Sequence, residues 1–414
     1  MAQNQMTPAQ AAQAAAQANS AARQAVLSNS IEALQLIYTQ ANINPAVQTV
    51  VNIPPRNVGL IRGFWVHVAL TATSGSGALT RSGMGPANLL QLVTFNDLSN
   101  QQRINTQGWY LSGLDTARRR GPSNASFLAT GVPASQASGT DTPLGFQANT
   151  TSQLALSGTN TPVMSCPATV GATTAFQVDM WYYIPISYTD RDLRGAIYAG
   201  VVNSVMNLQL TFNYSNLVAS STTDPSLAVF QSASAVTAVT GAAWSVEVYQ
   251  DFLDQLPFSN QGPILPFQDL SWSYLLNTTF FTAMAASQDY PIPFPNFRNI
   301  QSMTLMYDNG GTFNSGTDIN YLALQSANYT NIFKVSPAMQ AILTRNIIDT
   351  DYIKGGYYFD FRRKPLSTVQ YGNLNLVVNP STVTSTLGPS QFLVGFEQLA
   401  QQNQVVGAGS IAGG

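Results

Sequence analysis

The chain holds one histidine, His67, and one cysteine, Cys166, and this limits its chemistry at once. A Cys–His nucleophile would require those two residues to meet, yet Cys166 lies in the Pro-flanked stretch SCPAT with no basic neighbour to lower its thiol pKa. A single His with a single Cys cannot assemble a His/Cys zinc centre. Paired carboxylates, the requirement of glycosidases, occur as Asp251 with Asp254 in YQDFLDQLP and as Asp349 with Asp351 around Thr350; capping and turn roles suit both better. The run YDNGGTFNSGTDINY (307–321) sets Asp308, Asn309, Asn314 and Asp318 among glycines. It lacks the spacing and terminal Glu of a calcium loop, and Gly310, Gly311 and Gly316 read as turn residues with positive φ. No Gly-rich motif ending in Gly-Lys-Ser/Thr is present. Two basic clusters, Arg118 to Arg120 and Arg362, Arg363 and Lys364, stand in a chain of net charge -2. Nucleic-acid binding normally leaves a positive balance, so salt bridges between subunits are expected rather than direct nucleic-acid contact. No catalytic, cofactor or metal site is expected.

Composition indicates what replaces chemistry. Charged residues make up 9% of the 414 positions, against about 25% in ordinary soluble domains. Hydrophobic residues, at 45%, suffice for large cores. Gln, Asn, Ser and Thr take the place of the missing charge, giving a polar surface with little repulsion between copies. Such a surface favours association. The single Cys fits folding in a reducing compartment. The first residues lack the basic start and apolar run of a signal peptide, and no apolar run approaches the ~20 residues of a membrane-spanning helix.

Residues 1–45 read as a helical N-terminal arm. Thr7, Pro8 and Gln10 have the spacing of N-cap, N1 and N3 in a capping box, followed by an Ala/Gln-rich stretch of high helix propensity. Leu27, Ile31, Leu34 and Tyr38 fall at i, i+4, i+7 and i+11 and form one apolar stripe on that helix. With Thr7 they are the candidate assembly residues. From Val47 onward the period shortens to that of strands, as in VGLIRGFWVHVALTAT (58–73), FQVDMWYYIPI (176–186) and IQSMTLMYDN (300–309), in the pattern of β-sandwiches. SPAMQAILTRNII (336–348) is the best helix after the arm, with Ser336 as N-cap. Residues 121 to about 170 and 215–242 read as excursions from the core. There is an internal echo: WYYIPI followed by NLQLTFNY (207–214) resembles YYFDFRRKPL followed by NLNLVVNP (373–380). This supports a duplicated fold with its boundary near VYQDFLDQLP (248–257). The expected division is an arm over 1–45, sandwiches over 46–247 and 248–395, and a tail over 396–414.

YQDFLDQLPFSNQGPILPFQDLS (249–271), DNGGTFNSGTDINYLALQSAN (308–328), NVGLIRGF (57–64), MWYYIPISYTDRDLRGA (180–196) and KGGYYFDFRRKPLSTVQYGNLNLVVNP (354–380) together resemble the major capsid protein of tectiviruses, in order along nearly the whole chain. These are icosahedral bacterial viruses with an internal membrane. The resemblance implies an all-β double jelly roll, two eight-stranded β-sandwiches behind a helical arm. It also implies homotrimers with a pseudo-hexagonal outline, which tile a virion shell assembled in the host cytoplasm. Implied partners are neighbouring capsid trimers, minor capsid and vertex proteins, and the inner viral membrane through the N-terminal arm. A receptor- or glycan-binding jelly roll of the virion is the rival function.

Overall fold

The computed structural model describes residues 7–44, 49–118, 166–200 and 205–401, apart from positions 83, 168, 213–216, 236–238, 261, 284, 297, 314–315, 328, 349–351 and 353–354. The excursion at 121–165, the pair Asp349 and Asp351, and Asn314 therefore lie outside the described residues.

Helix α1 (Pro8–Asn29) starts as its sequence requires: the Thr7 hydroxyl accepts from the Gln10 N–H, and the Gln10 side chain accepts from the Thr7 N–H. It then stops short of the expected arm. Ser30 turns extended, and Ile31–Ile43 forms a strand, β1, paired antiparallel with Val239–Asp254. The stripe of Leu27, Ile31, Leu34 and Tyr38 is thus divided between two elements. Over so short a stretch, spacings of four, three and four fit a helix, but Ile31, Ile37, Tyr38, Thr39 and Ile43 are β-branched or aromatic residues that fit a pleat equally well. The edge of Val239–Asp254, with its free backbone groups, decides the matter. A bulge between Leu36 and Tyr38 lets Ile37 and Tyr38 both pack on the first core. Leu34 and Leu36 point outward, 60% and 43% exposed.

The other strands of the first lobe's two main sheets are β2 (Val50–Ile53), β3 (Leu60–Ser74), β4 (Leu92–Asn96), β5 (Gln102–Thr106), β6 (Ala175–Pro185), β7 (Asn207–Thr211) and β8 (Val239–Asp254), with helix α2 (Gly108–Arg118) between β5 and β6. The second lobe follows with β9 (Trp272–Thr282), β10 (Tyr290–Pro293), β11 (Asn299–Asp308), β12 (Ile319–Ser326) and β13 (Tyr329–Val335). Helix α3 (Pro337–Ile348), capped by Ser336 onto the Met339 N–H, leads to β14 (Gly356–Asp360), β15 (Leu374–Pro380) and β16 (Gln391–Gln401). The first lobe's sheets run β1-β8-β3-β6 and β2-β7-β4-β5; the second lobe's run β9-β16-β11-β14 and β10-β15-β12-β13. The orders are identical when the second lobe is counted from β9. Each lobe is a jelly roll, and the chain is a duplicated one. The echo noted above falls on β6 and β7 in one lobe and on β14 and β15 in the other, which are equivalent positions.

The boundary expected at 247 cuts through β8, which belongs to the first lobe as far as Asp254, and the tail expected from 396 begins inside β16. The boundary expected near VYQDFLDQLP falls on a segment whose first half is the core strand that receives β1.

The lobes are joined edge to edge. β5 pairs parallel with β9 (Ile104 with Leu276, Asn105 with Asn277), so one sheet continues from the first lobe into the second. On β16, Phe392, Val394 and Phe396 fill the second core, while Leu393 and Leu399 join the first. Both faces of β16 are buried, which is why its alternation vanishes from the burial pattern.

Candidate assembly surfaces

The lobe–lobe seam buries an ion pair between the two halves of the chain. Arg118, at the C-terminal end of α2, reaches across to Glu397 on β16, a residue with 0% exposure. The Glu397 carboxylate also accepts from Tyr274 Oη (2.7 Å) and Ser302 Oγ (2.6 Å). Arg118 Nη1 donates to the Tyr188 carbonyl at 2.7 Å, and its guanidinium lies 4.5 Å from the Tyr188 ring centre. A buried acid is tolerable only when paired and hydrogen-bonded in this manner. About two turns earlier on α2, Tyr110 lies against the backbone of Gly395; a methyl group at Gly395 would overlap the Tyr110 ring. Ala117 closes the seam against Ile348 and Tyr358.

The duplication locates the matching surface on the first lobe. β8 and β3 share with β16 and β11 the same bulge, which skips Arg62 in one lobe and Gln301 in the other. This aligns Asp251 with Glu397, Leu34 with Leu276, Tyr249 with Gly395 and Tyr183 with Tyr358. The face that in the second lobe lies under α2 is only partly covered in the first. Trp65, His67, Trp181 and Tyr249 are half-buried there, beside the exposed Leu34 and Leu36. Asp251 has no visitor from another lobe. Arg62 of its own chain neutralises it at 2.7 Å and also reaches Glu32 at 2.9 Å, while Tyr183 Oη donates to it at 3.2 Å.

The helix equivalent to α2 is α3. Both begin two residues after the preceding strand ends, which aligns Met339 with Tyr110 and Ile347 with Arg118. Met339, Ile342 and Ile347 are 45%, 56% and 42% exposed, and Ile332 on the adjoining strand β13 is 40% exposed. An edge strand and a helix face that are covered in one lobe are thus uncovered in the other.

α1 forms a third surface. Val26 is fully buried with Leu60, Leu193, Ala196, Leu253, Leu256 and Leu265, and Leu27 packs against the same group. Asn19 and Arg23 hold Asp269 at 3.0 and 3.3 Å, in the single helical turn Phe267–Leu270. The end of the helix therefore docks on its own chain, while residues 8–18 are exposed along their length. Thr7 caps that exposed end. Among the described residues no helix is long and apolar enough to cross a membrane.

The residues that could have done chemistry are held apart or structurally committed. His67 stacks on Trp181 (ring centres 4.7 Å apart) on the outer face of the first lobe, 3.6 Å from Asp179 and 3.8 Å from Glu247. Cys166 is in the core, where burial pushes its thiol up to about 12; such a thiol is inert. Asp251 and Asp254 lie on a strand rather than a helix. Two members of the basic clusters pair within the chain, Arg118 with Glu397 and Arg362 with Asp360 at 2.6 Å, while Arg119 and Arg120 lie outside the described residues. Sequence reading missed Tyr110, Gly395, Met339 and Ile342. Aligning the two halves strand by strand is what brings them out.

The relatives agree with this architecture. The model of the P3 major capsid protein N-terminal region matches residues 1–256, and that of the C-terminal region matches residues 271–413. The division falls between β8 and β9. The chain is 37% identical over 415 residues to the major capsid protein P3 of Enterobacteria phage PRD1, covering 99% of this chain and 98% of the relative. Among solved structures, the major capsid protein of the Sulfolobus turreted icosahedral virus, STIV, shares the fold at a TM-score of 0.61 and 12% identity, over 91% of this chain and 99% of that one. The PBCV-1 virus capsid shares it at 0.55 and 11%, over 90% and 96%. With both lobes matched in order and the likeness running from end to end, the chain belongs to the P3 major capsid protein family and is a structural subunit of a virion shell, not an enzyme.

Proposed function

We propose that the capsid subunit works as a homotrimer in which the seam within each chain recurs between chains: α3 and β13 of one copy dock on the outer β1-β8-β3-β6 face of the next. The carrying observation is the unequal burial of equivalent faces: β16 is buried on both faces, whereas its counterpart face in the first lobe leaves Trp65, His67, Trp181 and Tyr249 half-buried and Leu34 exposed. The side chains trade in a complementary way. Within the chain, the large Tyr110 meets Gly395; between chains, the slimmer Met339 would meet Tyr249. Within the chain, Arg118 neutralises Glu397; between chains, the uncharged Ile347 would approach an Asp251 already neutralised by Arg62. Such a head-to-tail contact must close into a ring to avoid an open filament. Three copies place six similar lobes in that ring, giving the near-hexagonal outline that tiles a shell. Low surface charge lets neighbouring trimers meet without like-charge penalties.

In this arrangement the exposed part of α1 lies at one end of the lobes, available to the membrane inside the shell and to adjacent capsomers. Minor capsid and vertex proteins would complete the lattice, with no direct role for nucleic acid. The test is light scattering on purified protein at micromolar concentration. Wild type is expected as trimers and Ile342→Glu as folded monomers, because Ile342 is exposed in the single chain and the substitution leaves that fold intact. Monomeric wild type, or trimers that survive Met339→Glu combined with Ile342→Glu, would overturn the reading.

A further inference from the structure

The seam has a second contact, at the end of the lobes away from α1. Leu60 and Leu253, at one end of β3 and β8, share a cluster with Val26 of α1, while Ser74 and Val239 pair at the other end. Beyond that far end, short strands at Val218–Ala219, Phe230–Ser232, Leu79–Arg81 and Thr169–Val170 form a small separate sheet on the first lobe. In the second lobe the far end is marked by Thr282, Gln391 and Asp308, which lie side by side across β9, β16 and β11.

Asp308 begins the DNGG turn. Its Oδ1 accepts from the Gly311 N–H at 2.8 Å, and its Oδ2 from Gln391 Nε2 at 3.2 Å, at 0% exposure. Gly310 and Gly311 have φ of 64° and 93°, which makes the turn tight enough for that closure. Across the seam comes the first-lobe loop at Asp224. One Asp224 oxygen accepts from the Ser226 N–H at 2.8 Å, and the Asp224 carboxyl lies beside that of Asp308. The fit is close: a Cβ on Gly311 would come within 3.2 Å of Pro225 Cδ, and one on Gly388 within 3.0 Å of Asp224 Cβ.

Two carboxyl groups can hydrogen-bond to each other only if one keeps its proton. The groups around Asp308 offer no easy alternative. Gln391 from β16 and the Gly311 N–H are neutral donors, and Tyr307 on the same strand is influenced by both Asp308 and Asp318. We propose that a proton shared by Asp224 and Asp308 latches the first lobe's outer small sheet to the second lobe, and that loss of this proton releases the latch. A cleft of about 490 Å3, lined by Ser220, Thr223, Asp224, Ser226 and Gln391 among others, opens on the Asp224 side of the pair, while Asp308 itself is buried behind it. Burial, followed by the Asp224 charge, raises the Asp308 carboxyl to about 7. A raised carboxyl stabilises the closed state fully below the ordinary Asp value of about 4, and that stabilisation is lost as pH rises through about 7. The latch is therefore closed in mildly acidic conditions and opens above neutrality.

The test is hydrogen–deuterium exchange on the full-length protein, corrected for intrinsic rates, following residues 217–231 and 384–391. For wild type, protection of these segments should fall about tenfold between pH 6 and pH 8 as the shared proton is lost. In Asp308→Asn an amide N–H donates to Asp224 without needing a titrating proton, so protection should not vary over that range. Asp224→Asn makes the same substitution from the other lobe and should give the same flat profile if Asp308→Asn does not fold. Equal pH dependence in wild type and in the folded variants would overturn the proposal. So would restoration of wild-type protection at pH 8 by calcium, since a cation would then be bridging the carboxylates.

Discussion

The most consequential single residue is Arg118. Its side chain is 3% exposed and its partner Glu397 0%, so removing the cation strands a carboxylate where water cannot reach it. Arg118→Met is expected to cost about 3–5 kcal/mol, the usual penalty for breaking a buried pair. Urea denaturation at pH 7 would show it as a lower midpoint. Adding Glu397→Gln to the same chain should recover most of the loss, because a neutral amide can still bond to Tyr274 and Ser302. A double variant no better than Arg118→Met would mean that the guanidinium acts by packing on Tyr188 instead. Little of this was legible in the sequence. Arg118 appears there as one of three consecutive arginines, and only the return of β16 across the seam gives it a buried acid.

Among the elements, β1 decides how much of the N-terminus can be removed. An arm helical throughout 1–45 would be dispensable to the fold. Instead, Ile31–Ile43 covers the edge of β8 from Trp244 to Asp254, and its loss would leave that edge's backbone groups without partners. Deleting residues 1–29 should leave a folded protein that melts cooperatively. The melt should be lowered by the loss of Val26 burial, worth about 1.5–3 kcal/mol for a side chain of this kind. Deleting residues 1–43 should abolish the cooperative transition followed by circular dichroism. A cooperative melt after the longer deletion would show that β1 is only loosely held. The start of α1 was fully readable, since Thr7, Pro8 and Gln10 specify a cap by local chemistry alone. Its end was not, because the β-branched and aromatic residues from Ile31 onward suit a strand as well as a helix, and only pairing with β8 decides between them.

At the scale of the whole molecule, the 9% charged composition becomes a statement about assembly. The exposed groups that would meet between copies are Leu34 and Leu36 on one side, and Met339, Ile342 and Ile347 on the other. Contacts of this kind are not screened by salt. Association measured by light scattering is therefore expected to persist, or to strengthen, between 0.1 M and 1 M sodium chloride. Dissociation at high salt would point to ion pairs as the main contacts between chains. The same uneven distribution of cover explains why one chain carries both lobes. In the proposed trimer, the β5–β9 pairing and the Arg118 seam supply one lobe–lobe contact within the chain, and its counterpart would form between molecules.

The sequence by itself determined the class of the protein. Strand periodicity, the echo between 181–214 and 357–380, the shortage of charge and the lone His and Cys together specify a duplicated all-β subunit built for association. These are local or compositional properties, and they survive without knowledge of what each segment touches. Only the tertiary structure decided that residues 31–43 form a strand, that β8 runs to Asp254, and that Arg118 meets Glu397. It alone shows that Asp308, which reads as part of a glycine-rich turn, faces a second carboxyl from the other lobe. Each of these depends on a partner far away in the chain, and backbone pairing or burial by that partner overrides the weak preference of the local sequence.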